Sequence, residues 1–176
     1  MYLGRAFISI FIFSILLLSG CSLSFEDASN DTLKAIEESL GEEKKETNET
    51  SDQFNYYLPP GYEVDSAATN NIVLTHKEQT YILFINPFEP DDSKVIYEST
   101  LEGYDSPEVE ETFTENGEFG YVIIDRLDDE KEEFYEITVG VGGVKMTTVT
   151  DPDNMEKSAD TMMEIVSSVE VQGEES

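Results

Sequence analysis

The apolar residues of this chain fall into segments with different periodicities. Residues 6–18 form an almost unbroken apolar run, interrupted only by Ser9 and Ser14. Between residues 56 and 150, short apolar segments alternate with turn residues, which is typical of β-strands. Over residues 155–166 the apolar positions recur every three or four residues, as on one face of a helix. The pattern therefore predicts an apolar leader, a sheet and a C-terminal helix.

The strands are predicted from the apolar segments and from the turns between them. Asn116-Gly117 and Gly142-Gly143 are strong signals for hairpin turns, and Lys77-Glu78-Gln79 reads as a third hairpin turn. The segments 81–85 and 121–124 are apolar on both faces, so we expect covered, central strands there. The predicted strands are 71–76, 80–86, 94–100, 109–114, 120–127, 134–141 and 144–150.

A change of period marks the end of the sheet. Asp151 is placed to cap a helix, and Pro152 suits the first helical position. The helix is predicted to end at Ser167-Ser168, before a final edge strand at 169–171. The fold class is therefore α+β: an antiparallel β-meander sheet of six to eight strands packed by one C-terminal helix. We assign residues 56–171 to this single domain and 172–176 to a polar tail.

Residues 21–55 are mostly acidic and polar, and we expect a mostly disordered tether after Cys21. Within it, Leu33, Ile36 and Leu40 share one face of a short helix over residues 31–40. Ten residues are marginal for an isolated helix, so this one forms stably only if its apolar face docks. A partner-binding helix and a transient helix in a linker both fit the sequence.

The apolar leader ends in Leu18-Ser19-Gly20-Cys21. The run is shorter than the roughly 20 apolar residues that a transmembrane helix needs, and Arg5 precedes it as a positive n-region. These features resemble the signal peptide and lipobox of bacterial lipoproteins. The resemblance implies a signal peptide over residues 1–20, cleavage between Gly20 and Cys21, and lipidation of Cys21 by diacylglycerol and palmitate-type chains. An uncleaved anchor helix followed by a buried structural cysteine is the alternative.

Composition narrows the classes of partner. The chain has 10 Lys and Arg against 39 Asp and Glu, a formal net charge of −29. Such a charge excludes nucleic acid as a partner, because phosphate binding requires clustered cations. Cys21 is the only cysteine, so the chain forms no internal disulfide and has no free catalytic thiol once lipidated. The acidity fits solubility outside the cell, and it would also favour cationic ligands.

Two short motifs frame the predicted domain. Leu58-Pro59-Pro60-Gly61-Tyr62 opens it, and Ser168-Val169-Glu170-Val171 closes it. With the strand meander between them, they resemble an uncharacterised extracytoplasmic domain family of Gram-positive lipoproteins with a PsbP-like architecture of sheet plus C-terminal helix. The resemblance implies a non-enzymatic role and carries no catalytic residues.

The inventory of catalytic residues is poor. His76 is the only histidine, it lies in a predicted strand, and no serine stands in a Gly-x-Ser-x-Gly setting. We therefore predict no catalytic residues and expect His76 to face solvent at a strand end. A small hydrolase is the weakest of the alternatives.

Calcium is the cofactor that the acidic loops suggest, because calcium takes six to eight oxygen ligands. None of the loops matches the EF-hand pattern, and Asp is also common in turns and caps. We predict no required cofactor and keep a calcium- or cation-binding module as the alternative function. Its candidate ligands are Glu89, Asp91, Asp92, Asp128, Asp129, Asp151 and Asp153.

Taken together, the sequence predicts a lipoprotein on the extracytoplasmic face of the cell membrane, most simply of a Gram-positive bacterium. It would be held through its lipid anchor, act as a non-enzymatic binding or accessory protein of the cell envelope, and have an unidentified envelope protein as partner.

Overall fold

The computed structural model describes residues 23–51, 53–128 and 133–172. The described helices are α1 (Phe25–Gly41), α2 (Val95–Leu101) and α3 (Pro152–Ser167). The strands are β1 (Glu49–Thr50), β2 (Phe54–Tyr56), β3 (Glu63–Ala68), β4 (Asn71–His76), β5 (Gln79–Ile85), β6 (Val109–Glu115), β7 (Glu118–Arg126), β8 (Tyr135–Val141), β9 (Val144–Thr150) and β10 (Glu170–Val171). This arrangement confirms the predicted α+β class with an antiparallel sheet and a C-terminal helix.

The main sheet has seven antiparallel strands in the order β3-β4-β5-β9-β8-β7-β6. It consists of two meanders, β3 to β5 and β6 to β9, joined where β5 pairs with β9. The predicted turns close their hairpins, and Asn116 and Gly117 have the positive φ values of 53° and 88° that a tight turn of this kind requires. The strand β3, which the strand pattern missed, forms one edge and carries a β-bulge between Val64 and Ser66.

Helices α1 and α3 pack against each other and against the same face of the sheet. Asp151 caps α3 by accepting a hydrogen bond from the Asn154 backbone N–H at 2.9 Å, as the sequence predicts. The buried apolar residues of α3 are Met155, Ala159, Met162, Met163, Ile165 and Val166. They form one core with inward-facing sheet residues such as Leu83, Ile137 and Met146.

The helix α1 differs from the predicted disordered tether with a short helix over 31–40. It begins at Phe25, where Ser24 caps it by accepting a hydrogen bond from the Asp27 N–H at 3.2 Å. Ile36 and Leu40 are buried as the stripe suggested, but Ala28 is buried as well. The reason is docking: small residues on the first turns let α1 lie closely along α3, which stabilises a helix that would be marginal alone. The packed unit therefore starts near residue 25 and not at residue 56.

The prediction of a strand over 94–100 is wrong, because this segment forms α2. Its β-branched and aromatic residues Val95, Ile96 and Tyr97, which suggested a strand, belong instead to the helix. Ile96 is buried, and Tyr97 packs on the rings of Phe119 and Tyr121 at 5.4 and 5.2 Å between centroids. Tertiary packing thus overrides the β-propensity of the segment.

The second face of the sheet is covered only in part. Over β7 and β8, α2 and the loop containing Tyr104 cover a small cluster of Phe119, Tyr121 and Ile123. Over β5 the cover is missing, and Ile82 is 48% exposed. The expectation of burial on both faces therefore holds for 121–124 but not for 81–85.

A second, smaller sheet joins residues 49–56 to the C-terminal end of the described chain. It has the order β1-β2-β10, so the predicted final strand pairs with β2 and not with the main sheet. In this pairing Glu170 lies opposite Asn55, and Val171 lies opposite Phe54. None of the described helices has the length and apolarity to cross a membrane.

Candidate functional site

A cleft of about 720 Å³ opens at one end of the main sheet. Its walls come from the β4–β5 hairpin, the end of β9 and the first turns of α3. The position follows from the topology, because β5 and β9 are neighbours and α3 leaves directly from the end of β9. The lining residues are Tyr62, His76, Lys77, Glu78, Gln79, Tyr81, Phe134, Val149, Thr150, Asp151, Asn154, Lys157 and Ser158.

Three aromatic rings form one wall of the cleft. The ring of Tyr62 lies 4.5 Å from that of His76 and 5.2 Å from that of Tyr81, measured between centroids. The Tyr62 hydroxyl donates to the Tyr81 hydroxyl at 3.3 Å. Gly61 has a φ of 87° that turns the chain into this wall. The wall is therefore fixed by packing before any ligand binds.

The floor of the cleft is held by Gln79. Its Nε2 atom lies 3.1 Å from Thr148 Oγ1 and 3.2 Å from Ser158 Oγ, and 3.3 Å from the Val149 carbonyl oxygen. One amide thus ties β5, β9 and α3 together at the base of the cleft. Such cross-links hold the polar groups in place, as a binding site requires.

The cleft also carries ammonium groups, and these differ in their ion pairing from some other lysines of the described chain. Lys44 lies 2.6 Å from a Glu118 carboxylate oxygen, and Lys45 lies 3.0 Å from one of Glu164. By contrast, Lys77 and Lys157 form no ion pair within 4.0 Å in the part of the chain that is described. The cleft therefore offers ammonium groups to a ligand, next to the carboxylates of Glu78 and Asp151.

His76 and Tyr62 are the residues of the cleft wall that bear on its chemistry. His76 is half-buried against Tyr62 instead of facing solvent freely, and it forms no side-chain hydrogen bond with another described residue. Burial, followed by the hydrogen bond with Tyr81, raises the pKa of Tyr62 well above its usual range, so its hydroxyl stays protonated. A catalytic histidine needs a nucleophile and an orienting partner within hydrogen-bond distance. The wall offers aromatic faces and hydrogen-bond donors instead.

The proposed calcium ligands lie in separate places and several have other partners. Asp151 caps α3, and Asp153 accepts a hydrogen bond from the Leu23 N–H at 2.9 Å. Asp91 lies 3.6 Å from the Lys44 ammonium, and Glu89 accepts a hydrogen bond from the Ser93 hydroxyl.

Asp92 is exposed beside Asp91, and Asp128 lies after β7. Asp129 is outside the described residues. Within residues 23–51, 53–128 and 133–172, no three His, Cys, Asp or Glu side chains come together as a metal site. Calcium binding stays a prediction.

Gly20 and Cys21, the predicted cleavage and lipidation residues, lie outside the described residues, as do the leader 1–20 and most of the polar tail. The sequence pattern did not predict the cleft, because its parts are hairpin and cap residues with no catalytic spacing. His76, Asp151 and Tyr62 of the Leu-Pro-Pro-Gly-Tyr motif were each conspicuous, but no pattern placed them together.

No protein-family model matches the chain, and no curated protein matches it. Among solved structures, the chain is similar to the solution structure of cyanobacterial PsbP (CyanoP) from Synechocystis sp. PCC 6803, with a TM-score of 0.41 and 16% sequence identity over 73% of this chain and 92% of that chain. Nothing about function follows from a similarity at this level, and the lipoprotein interpretation rests on the sequence.

Proposed function

We propose that this protein is a lipid-anchored, extracytoplasmic binding protein that is held at a membrane through Cys21. It presents the cleft lined by Tyr62, His76 and Tyr81, called the His76 cleft below, to an envelope component. The observation that carries the proposal is the direct passage from the apolar leader and Leu18-Ser19-Gly20-Cys21 into a docked helix. Binding, without catalysis, is the role that the fixed aromatic wall and the ammonium groups of the cleft support.

The connection between the anchor and the folded part is short. Cys21 is followed by Ser22 and then by Leu23, whose backbone N–H donates to Asp153 at the start of α3. Each extended residue spans at most about 3.6 Å, so the lipidated residue would lie within roughly 7 Å of Leu23. The docked α1 therefore replaces the long acidic spacer that the sequence suggested, and the anchor would hold the domain close to the bilayer.

The anchor would also orient the cleft. Asp151, Asn154, Lys157 and Ser158 line the cleft and belong to the cap and first turns of α3, next to the contact between Leu23 and Asp153. The cleft and the attachment point thus share one end of the molecule. A partner that reaches the cleft would do so at the membrane surface.

The anchoring is tested by Cys21→Ser in the full chain. We expect this variant to lose labelling by a clickable fatty-acid precursor, to stay uncleaved, and to lose stable membrane association, because two acyl chains supply that association. Ser19→Ala, which keeps a small residue beside the cleavage site, is the matched control and should be labelled normally. Normal labelling and cleavage of Cys21→Ser would contradict the proposal.

The binding role is tested by site-specific photocrosslinking in intact cells. A photoreactive amino acid at Lys77, in the cleft, should give a discrete adduct. The same amino acid at Glu98, an exposed position on α2, should not give it. Equal adducts at both positions, or none at Lys77, would speak against the cleft as the binding surface.

A further inference from the structure

A second concave surface lies on the face of the sheet that α1 and α3 do not cover. It is a groove of about 420 Å³ between β5, the start of β9 and α2. The groove exists because α2 covers β7 and β8 and stops short of β5, which leaves Ile82 48% exposed. A volume of this size lies within the usual range of small-molecule sites.

The groove has an apolar part and carries one cation, and the polar residues Asn71, Ser99, Thr100 and Thr147 also line it. Ile82, Phe84 and Ile96 supply the apolar lining, and Lys145 lies among them. The register explains the proximity, because Phe84 and Lys145 are directly opposed on β5 and β9. The Lys145 ammonium lies 6.0 Å from the centroid of the Phe84 ring.

The Lys145 ammonium has unused donor capacity. It donates to Thr100 Oγ1 at 3.0 Å, and it forms no ion pair within 4.0 Å with any described carboxylate. An ammonium has three N–H donors, so two remain for a ligand. Burial lowers the pKa of Lys145, and only the charge of Glu136 opposes this. A half-buried cation beside hydrocarbon is costly unless an anion meets it.

We propose that this groove binds an aliphatic carboxylic acid, with the carboxylate on Lys145 and the hydrocarbon chain against Ile82, Phe84 and Ile96. The charge of Lys145 selects the acid over neutral lipids, and the apolar lining selects a chain over a small anion such as acetate. The site lies on the face of the sheet opposite to α3 and is independent of the His76 cleft and of the lipid anchor.

The test is isothermal titration calorimetry of the full chain with octanoate, decanoate and decanol. Decanoate should bind more tightly than octanoate by up to about 15-fold, since each buried methylene contributes about fourfold. Decanol should bind about tenfold more weakly than decanoate, because it lacks the charge-assisted hydrogen bond.

Three variants distinguish the contribution of the Lys145 charge to ligand affinity from that of the apolar lining. Lys145→Gln should weaken decanoate binding by about tenfold and leave decanol unchanged. Ile82→Asn should weaken both ligands, and it should fold because Ile82 is half exposed. Lys94→Gln is the matched control: Lys94 also lies near an aromatic ring, 4.9 Å from the Phe119 centroid, but outside the groove, and its loss should change nothing.

Two outcomes would overturn the proposal. One is decanoate binding that is absent, or equal in the wild type and Lys145→Gln. The other is sedimentation that shows a dimer abolished by Ile82→Asn, since the groove would then hold a second copy of this chain.

Discussion

Replacing Ile36 by alanine tests whether α1 belongs to the folded core. Ile36 is fully buried, in the same core as Met155, Ala159 and Met162 of α3. In a disordered tether the same substitution would change the free energy of unfolding by less than about 0.5 kcal/mol. The two interpretations of residues 25–41 therefore predict clearly different results.

The magnitude follows from the atoms removed. Ile36→Ala deletes three carbon groups, and the lost burial of each costs about 0.8 kcal/mol, or about 2.4 kcal/mol together. The cavity between α1 and α3 adds to this, and measured Ile-to-Ala substitutions in cores cost about 2–5 kcal/mol. We expect the unfolding free energy to fall by about 3 kcal/mol. For a chain of this size that corresponds to a melting temperature lower by roughly 6–12 °C.

The assay is urea unfolding followed by circular dichroism, supported by thermal melts. Glu37→Ala, at the neighbouring exposed position of the same helix, is the control and should leave the midpoint within error. If Ile36→Ala and Glu37→Ala unfold within 0.5 kcal/mol of each other, α1 is not docked and the short connection between Cys21 and the domain is wrong.

Two further predictions concern the sheet and α3. Gly140→Ala should destabilise the fold by about 1–3 kcal/mol in urea unfolding, because the added Cβ would clash with the Tyr121 ring. Gly41→Ala, where the nearest atom is 4.0 Å away, should not, and equal effects of the two would refute the clash. Desolvation and then the charge of Glu164 raise the pKa of Asp160. The carboxylate therefore destabilises the fold above that pKa. This penalty disappears as the pH falls towards the ordinary aspartate range. Asp160→Asn should therefore stabilise the protein at pH 7, and the gain should shrink on acidification. A gain that is constant from pH 7 to pH 3 would contradict the assignment.

The sheet was largely readable from the sequence because its signals are local. Asn116-Gly117 and Gly142-Gly143 fix their hairpins through backbone conformations that few other residues adopt, and Asp151-Pro152 fixes the start of α3. The apolar periodicity then assigns the strands and the buried face of α3.

The errors arose where tertiary contacts decide. Residues 95–97 are β-branched or aromatic, which favours a strand, yet Ile96 and Tyr97 pack against the sheet from a helix. In α1 the first turns bury small residues such as Ala28, which give no hydrophobic signal. The two surfaces proposed here for binding combine residues far apart in the chain, as with Tyr62 and Lys157 or Ile82 and Ile96. No local pattern could have joined them.

Elements near the start of the described chain pack against elements near its end. The helix α1 packs on α3, and β2 pairs with β10, so the earliest described elements have their main partners at the other end of the sequence. Contacts of such large sequence separation form late, because the loop entropy must be lost before they are gained. Until α3 and β10 are available, the apolar faces of α1 and β2 thus have no partner. The fold closes only when these two elements take their places.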